Sequence, residues 1–288
     1  MQKHKAMQGS SGMSKRTTVG SAVLELVSIL LAMIIFLPIL WMACVSLKTD
    51  EASMPSAFQY FVPPFTVQNY TDVLTGRPQV VRWVLNSFGV AAIVTVLTTL
   101  LCAMASYAMA KLKFRYSKAM YIYFLIGLMV PGEATIISNY LTVSRLGLLN
   151  TYTVLIVPSL TSAMGIFLFR QFYLSFPISL YESAKLDGCS NLYFIVKILM
   201  PLTKSAIGAM AVYTFINAWN MYLWPLLVTG SDSMRTVQIG ISMLNAVDAQ
   251  SISLTMAGIV ICMLPSLIIF VVGQKQMIRG MFSGAVKG

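Results

Sequence analysis

Acidic side chains are scarce in this sequence, and charge of either sign is rare. The 288 residues include 9 Asp or Glu, 20 Lys or Arg and a single His, so charged types make up 10% of the chain and the formal net charge is +11. A soluble domain has about a quarter of its residues charged. Because hydrophobic types reach 57%, so little charge cannot keep the apolar surface in water. This composition excludes an ordinary cytosolic enzyme and a disordered chain, and it favours a protein with several membrane-spanning segments.

Residues with metal-binding, disulfide or nucleotide-binding chemistry are also few. The sequence has 4 cysteines without a C-x-x-C pair, and its one histidine is His4. This pattern predicts neither a disulfide framework nor a metal site. The phosphate-binding pattern G-x-x-x-x-G-K-[ST] does not occur. We therefore expect no cofactor on this chain and no ATP bound through a P-loop of its own.

In place of charge, the chain has a series of long apolar stretches. A helix needs about 20 apolar residues to cross the hydrocarbon core of a bilayer, and six stretches reach this length. Prolines inside them are compatible with membrane helices, because neighbouring helices satisfy the freed backbone groups. The sequence therefore predicts an all-α integral membrane protein with six transmembrane helices. The predicted spans are about residues 24–46, 83–110, 118–139, 151–173, 203–229 and 253–274 of a membrane domain over 21–274, between tails over 1–20 and 275–288.

The basic side chains lie mainly on one side of these spans. With the N-terminus inside, the inside segments hold fifteen Lys or Arg, and the outside segments hold five. Cytoplasmic loops carry such an excess, so both termini are predicted to be cytoplasmic. The acids of the inside segments are Glu182 and Asp187. A nucleic-acid-binding surface needs its basic residues clustered on a soluble face, and their spread over four inside segments argues against that alternative.

The loop between the fourth and fifth spans, residues 176–201, is the longest of the inside loops and contains apolar and acidic residues at helical spacing. We expect a helix capped by Ser179, with Glu182 at its third position, and ended by Gly188 in the left-handed conformation. A second helix is predicted to bury a face made of Leu192, Ile195, Val196 and Leu199. A short helix with an acidic side and a small-residue side suits docking into a groove on another protein. The alternative is a connector that lies on the membrane interface.

The same loop resembles the EAA loop of binding-protein-dependent ABC importer permeases. That loop has the consensus E-A-A-x-x-D-G-A with a downstream F, I and P. The matching residues here are Glu182, Ala184, Asp187, Gly188, Ile198 and Pro201, with Phe194 at or near the aromatic position. Ser183 and Cys189 depart from the consensus alanines, but both are small, so close packing is expected to survive.

Further short motifs are similar to those of one subfamily, the second permease subunit of carbohydrate importers of the maltose, multiple-sugar and glycerol-phosphate type. They are Asn86-Ser87, the run 147–152, Trp219-Asn220, Pro225-Leu226 and the glycine-rich end 280–288. The resemblance extends over nearly the whole chain from about residue 20 onward. It implies a type I ABC importer permease fold in a bacterial or archaeal cell membrane, and a role in ATP-driven sugar import rather than as an enzyme.

The resemblance also implies partners and contact residues. The partners are a homologous second permease, two ATPase subunits that use ATP and Mg²⁺, and an extracytoplasmic solute-binding protein. The residues implied to couple to the ATPase are Glu182, Ser183, Ala184, Asp187 and Gly188, and a C-terminal ATPase contact is implied for Gly284, Ala285 and Lys287.

The substrate path is predicted from polar and aromatic residues inside the spans, which usually face a cavity or the bundle interior. The candidates are Asn217, Trp219, Asn220 and Tyr222 in the fifth span, with Glu133 near the end of the third. Alternatives stay open: aromatic residues near span ends also anchor helices at the interface, and amides also bond neighbouring helices. Glu133 is open to a gating role, a partner contact or a simple interfacial position.

Two other functions are weighed against sugar import. An ABC permease for another solute, such as glycerol phosphate or a polyamine, has the same coupling loop. An ion-coupled secondary transporter or a structural membrane scaffold has no need of that loop, and a secondary transporter is expected to hold ionisable residues within its spans.

Overall fold

The computed structural model describes residues 19–49, 57–112, 114–247 and 251–283, and every regular element in these ranges is a helix. The α-helices are α1 (Val19–Ser46), α2 (Gln68–Gly76), α3 (Pro78–Lys111), α4 (Ser117–Gly127), α5 (Ile136–Arg145), α6 (Tyr152–Ile156), α7 (Ala163–Ser175), α8 (Ile178–Leu186), α9 (Asn191–Tyr193), α10 (Met200–Leu202), α11 (Lys204–Trp219), α12 (Leu223–Val228), α13 (Val237–Val247) and α14 (Ile252–Ser283). Short 3-10 turns cover Ala57–Phe61, Gly132–Thr135, Val157–Ser159 and Asp232–Met234, and a π-helical turn covers Phe194–Leu199.

Three helices are long and apolar enough to cross a bilayer by themselves: Gly20–Ser46 in α1, all of α3, and Ile252–Ile278 in α14. Three further pairs reach the required length if each pair is one span, bent by 96°, 44° or 86°. The pairs are Ser117–Gly127 with Gly132–Arg145, Tyr152–Ser159 with Ala163–Ser175, and Asn191–Leu202 with Lys204–Trp219. The described residues therefore hold three to six candidate spans, while the count of six and the cytoplasmic termini remain predictions.

The third predicted span, 118–139, is broken rather than continuous. α4 ends at Gly127, and the chain turns by 96° before it continues as Gly132–Arg145. Pro131 lies at the break in an extended conformation. Proline has no N–H to donate, and it disfavours the helical conformation in the residue before it. The break places Glu133 in the 3-10 turn before α5 instead of near the end of a straight helix.

The fifth predicted span, 203–229, is also interrupted. α11 ends at Trp219, residues 220–222 are not helical, and α12 begins at Leu223. At the other end, the chain bends by 86° between Asn191–Leu202 and α11. Apolar composition continues across both points, so hydropathy alone does not reveal them. α14, in contrast, extends to Ser283, past the predicted end at residue 274.

α11 is the central helix of the packing. It lies against α14 on one side and α3 on the other, and α3 also packs against α7. α11 and α14 come close where a Cβ built on Gly273 would lie 2.2 Å from Cγ2 of Val212. Small residues let membrane helices pack with their backbones near each other. The close approach lies on α11, the helix that carries two of the residues predicted for the substrate path, Asn217 and Trp219.

α1 differs from the other long helices because it is apolar on all sides and mostly exposed. None of the most apolar window within Gly20–Ser46 is buried. Its buried residues, Val45 and Ser46, lie at its C-terminal end. A helix with apolar side chains all round is stable only in lipid or against another subunit, which agrees with a multi-pass membrane protein.

A polar cluster ties the chain between α12 and α13 to α3 and to the start of α6. Asn86 Nδ2 donates to the carbonyls of Ser233 and Arg235, each at 2.9 Å, and Tyr152 Oη donates to Asn86 Oδ1 at 2.8 Å. Asn150 Oδ1 accepts three hydrogen bonds, from Gly230 N at 3.1 Å, Ser231 N at 3.0 Å and Ser231 Oγ at 2.9 Å. We call this set the loop clamp, and it explains the Asn86 and Asn150 motifs as structural.

Replacing Asn150 with alanine is expected to destabilise the protein by about 2 kcal/mol, because it removes the triple acceptor and leaves a side chain that disfavours φ > 0. The φ of Asn150 is +58°. Asn150→Gly keeps this backbone conformation available, so we expect it to lose about half as much. The measurement is the midpoint of thermal unfolding in detergent. Equal midpoints for the glycine and alanine variants would mean that the left-handed conformation has no part in the effect.

Candidate functional site

α8 is a short helix whose polar side chains lie at the surface. Glu182, Ser183 and Asp187 are exposed, whereas Ala184 is 8% exposed and belongs to a core cluster. Leu186 is 88% exposed, although it is apolar. The N-cap is Pro177 and has no side-chain cap bond. The predicted cap at Ser179 is therefore wrong: Ser179 lies inside the first turn, because the helix begins directly after the proline.

Gly188 ends α8 as predicted. Its φ is +77°, its N–H donates to Lys185 O at 3.1 Å, and the Cys189 N–H donates to Ala184 O at 2.9 Å. These two bonds form the common glycine-terminated C-cap of a helix. Asp187 does not cap the helix that follows. That role belongs to Ser190, whose Oγ accepts from Tyr193 N at 3.3 Å.

The segment after α8 buries a different face from the predicted one. Ile195 and Leu199 are buried as expected, but Leu192 is 62% exposed, and Val196 is 45% exposed. Phe194 is 1% exposed and takes their place in the core. The reason is the π-helical turn over Phe194–Leu199, whose i→i+5 bonds widen the helix and shift its buried face.

Aromatic side chains connect the buried side of α8 to α3. The ring of Tyr181 lies 5.4 Å from that of Phe194 and 6.3 Å from that of Tyr107, in edge-to-face arrangements. Tyr107 Oη also donates to Asn191 Oδ1 at 2.8 Å. Tyr107 belongs to α3 and is 2% exposed. A displacement of α8 therefore acts directly on a long membrane helix.

A cavity of about 730 Å³ lies on the other part of α3, beside α5, α11 and α12. Glu133, Asn217 and Tyr222 line it, so three of the predicted substrate-path residues come together there. Tyr213, a further polar aromatic residue of the predicted fifth span, also lines the cavity. Other polar lining residues were not singled out from the sequence: Thr98, Thr135, Asn139, Ser159, Thr161, Ser162 and Thr214. The sequence signal that points to such residues is a hydroxyl, such as that of Thr98, inside a largely apolar span.

The cavity offers hydroxyl, amide and aromatic groups. Asn217 Nδ2 donates to Tyr213 O at 2.8 Å, which leaves its amide oxygen for a solute. The Thr214 hydroxyl is buried without a hydrogen-bond partner. Tyr213 and Tyr222 are 41% and 42% exposed. A few converging polar groups among aromatic walls suit a solute with many hydroxyls and apolar faces, such as a sugar.

Two predicted substrate-path residues do not line this cavity. Trp219 is 1% exposed and stacks on Phe215, with ring centroids 5.9 Å apart, inside a core cluster. Asn220 is exposed and accepts from Gln238 Nε2 at 3.1 Å. The helix turns by about 100° per residue, so Asn217 and Trp219 face different sides of α11. Gly284, Ala285 and Lys287 lie outside the described residues.

Among the described residues, no group of three or more His, Cys, Asp or Glu side chains could hold a metal ion. The two regions present different groups: α8, the helix predicted to dock on another protein, has exposed polar side chains, and the cavity beside α11 has hydroxyl, amide and aromatic ones.

Comparisons with known proteins agree on a transport family. Residues 102–282 match the family described as binding-protein-dependent transport system inner membrane component. The arabinooligosaccharides transport system permease protein AraQ of Bacillus subtilis (strain 168) is 32% identical over 277 residues, which cover 96% of this chain and 99% of the relative. The sn-glycerol-3-phosphate transport system permease protein UgpE of Rhizobium meliloti (strain 1021) is 32% identical, over 81% of this chain and 88% of the relative.

A solved structure supports the fold. It is that of a bacterial ABC transporter involved in the import of the acidic polysaccharide alginate, and one of its chains matches with a TM-score of 0.77 at 19% identity, over 90% of this chain and 98% of that chain. Because the family model matches residues 102–282 and AraQ is 32% identical over 96% of this chain, the chain belongs to the family of binding-protein-dependent transport system inner membrane components.

Proposed function

We propose that this chain is the permease subunit of an ATP-driven ABC importer and forms part of the path for a sugar delivered by a solute-binding protein. One observation carries the proposal: α3 bears both Tyr107, which supports the docking helix, and Thr98, which lines the cavity. A single helix thus connects a surface suited to a motor with a space suited to a solute.

The partners proposed are a homologous permease, two ATPase subunits that bind ATP and Mg²⁺, and the binding protein. A second permease is supported by the exposed apolar surface of α1, which a neighbouring subunit would cover. We further propose six spans with cytoplasmic termini in a bacterial or archaeal cell membrane, because the basic residues of the inside segments favour that orientation.

In this proposal α8 is the coupling helix. Closure of the ATPase pair on ATP moves α8, and the two permease halves rotate and alternate access to the cavity. Glu182 supplies a charged contact with the ATPase and Leu186 an apolar one, since both side chains are exposed. Gly188 allows close approach of the ATPase, whereas Ala184 packs into the core and lets α8 lie close to the helices behind it. The C-terminal contact of Gly284, Ala285 and Lys287 stays a proposal from family resemblance.

The relatives narrow the solute to a sugar or sugar-like compound, since AraQ is named for arabinooligosaccharides and UgpE for sn-glycerol-3-phosphate. An oligosaccharide fits the hydroxyl and aromatic lining of the cavity. The names of the relatives favour a sugar importer over a polyamine permease, and membership of a binding-protein-dependent family favours it over an ion-coupled transporter.

The test is co-purification followed by transport. The tagged chain, isolated in mild detergent from its native host, is expected to bring an ATPase with it. In proteoliposomes, the complex with its binding protein should take up a radiolabelled neutral oligosaccharide with ATP, but not with a non-hydrolysable ATP analogue. Uptake by the chain alone, driven by an ion gradient without ATP, would contradict the proposal.

A further inference from the structure

The charge of the cavity is one-sided. Among the described residues that line it, Glu133 is the one acid, and none is a Lys, Arg or His. The side chain of Glu133 is exposed to the cavity space, and within the described part of the chain it takes part in no ion pair. An uncompensated carboxylate in a cavity whose other polar groups are neutral produces a negative potential that solvent screens only in part.

A carboxylate also has a hydrogen-bonding use in this setting. When ionised it accepts from several donors, and it makes stronger bonds than a neutral oxygen does. Sugar hydroxyls are such donors. The other polar side chains among the described lining residues are hydroxyls, amides and an indole, all of them neutral, and exposed examples are Thr161, Tyr213 and Tyr222. An uncharged solute with hydroxyl groups can bond to such side chains.

We propose that Glu133 makes this cavity a charge filter, which passes uncharged oligosaccharides and rejects carboxylated or phosphorylated sugars. The proposal rests on the proposed function and names its substrate class. It separates this chain from relatives and structural neighbours named for sn-glycerol-3-phosphate or for the acidic polysaccharide alginate. The described lining of this cavity provides no basic group that could bind an anion.

The filter can be measured without transport, by the reactivity of a cysteine introduced into the cavity. Thr161 is exposed and lines the cavity from the turn before α7. In the purified complete importer, Thr161→Cys is treated with two methanethiosulfonate reagents of similar size, one bearing a trimethylammonium group and the other a sulfonate. The parent protein without the added cysteine gives the background from its own four cysteines.

With Glu133 present, the cationic reagent is expected to react faster than the anionic one. Adding Glu133→Gln should lower the ratio of the cationic to the anionic reaction rate about fivefold. This is the effect expected when one charge is removed at a distance comparable with the width of the cavity. The matched control is Thr75→Cys, which is exposed on α2 and does not line the cavity. Its ratio should not respond to Glu133→Gln.

An unchanged ratio at Thr161→Cys would overturn the proposal, since the carboxylate would then not affect the electrostatic potential of the cavity. A fall in thermal stability of Glu133→Gln with no change in the ratio would also overturn it. That outcome would assign Glu133 to the ordinary stabilising position of an acid in the first turn of a helix.

A transport arm relates the filter to substrates. Uptake of a neutral oligosaccharide and of its uronate-terminated counterpart is compared in the wild type and in Glu133→Gln. The same binding protein serves both, so its own preference cancels, and the acidic-to-neutral rate ratio should rise about fivefold. Preferential uptake of an amine-bearing solute over the neutral one would overturn the substrate class. Absence of any ATP-dependent uptake would contradict the proposed function instead, while the reagent ratios remain measurable.

Discussion

Replacing Gly188 with valine is expected to abolish ATP-coupled uptake while the membrane helices stay folded. The φ of Gly188 is +77°, and an L-residue in this conformation costs about 1–2 kcal/mol, with β-branched residues the least tolerated. This strain affects the turn that ends α8 and leaves the core packing unchanged, because a Cβ on Gly188 meets nothing within 4 Å. The same open space is where an ATPase would close on the helix.

The control for this prediction is Gly188→Asn, because asparagine tolerates positive φ. If the backbone conformation is what matters, the asparagine variant should keep most of the uptake and the valine variant none. If the approach of the ATPase is what matters, both should fail. The measurements are ATPase stimulation by sugar-loaded binding protein and the amount of ATPase that co-purifies. Full activity of Gly188→Val would mean that α8 is not the coupling helix.

Gly273→Ala is expected to lower stability by about 1–3 kcal/mol and to reduce uptake strongly. The added Cβ would lie 2.2 Å from Cγ2 of Val212 and 3.3 Å from its Cγ1, so α11 and α14 must move apart. Alanine is a better helix former than glycine by about 0.8–1.0 kcal/mol, and a loss in spite of this gain would identify packing as the cause. Val212 directly precedes Tyr213 and Thr214, so the displacement reaches the cavity wall.

Val212→Ala removes both clashing methyl groups and supplies the rescue. The single variant should lose about 1 kcal/mol through the small cavity that it leaves, and the double variant should recover most of the stability and uptake that Gly273→Ala loses. Thermal unfolding in detergent and ATP-dependent uptake are measured on all three variants. Strictly additive losses would show that the two residues do not meet.

Much of the architecture was predictable because it depends on composition and on local backbone chemistry. The apolar stretches predicted α1, α3 and α14, and a glycine after a short helical segment predicted the left-handed end of α8 at Gly188. The bend before Glu133 was harder to predict. Proline is tolerated in membrane helices, so Pro131 alone does not distinguish a kink from a break of 96°.

The cavity was predictable only in part, because its described lining comes from four separated segments of the chain. Asn217 and Tyr222 were predicted as lining residues because they are polar or aromatic residues within one apolar stretch. Trp219 has the same signal, yet it lies in the core against Phe215. Which side of α11 faces the cavity depends on how α11 packs against α14 and α3. Such long-range contacts cannot be predicted from the residue pattern within α11.

The span of α3 between Thr98 and Tyr107 has a thermodynamic consequence. The ten residues 98–107 contain no proline or glycine, so the nine steps between the two ends, at about 1.5 Å each, form a rigid rod of roughly 13 Å. Docking at the α8 end of this rod and solute binding at the cavity end are then thermodynamically linked. Linkage is reciprocal: if engagement of α8 changes the affinity of the cavity for its solute by some factor, occupancy of the cavity changes the engagement of α8 by the same factor. The motor would thus sense whether the path is loaded through the same helix that it drives.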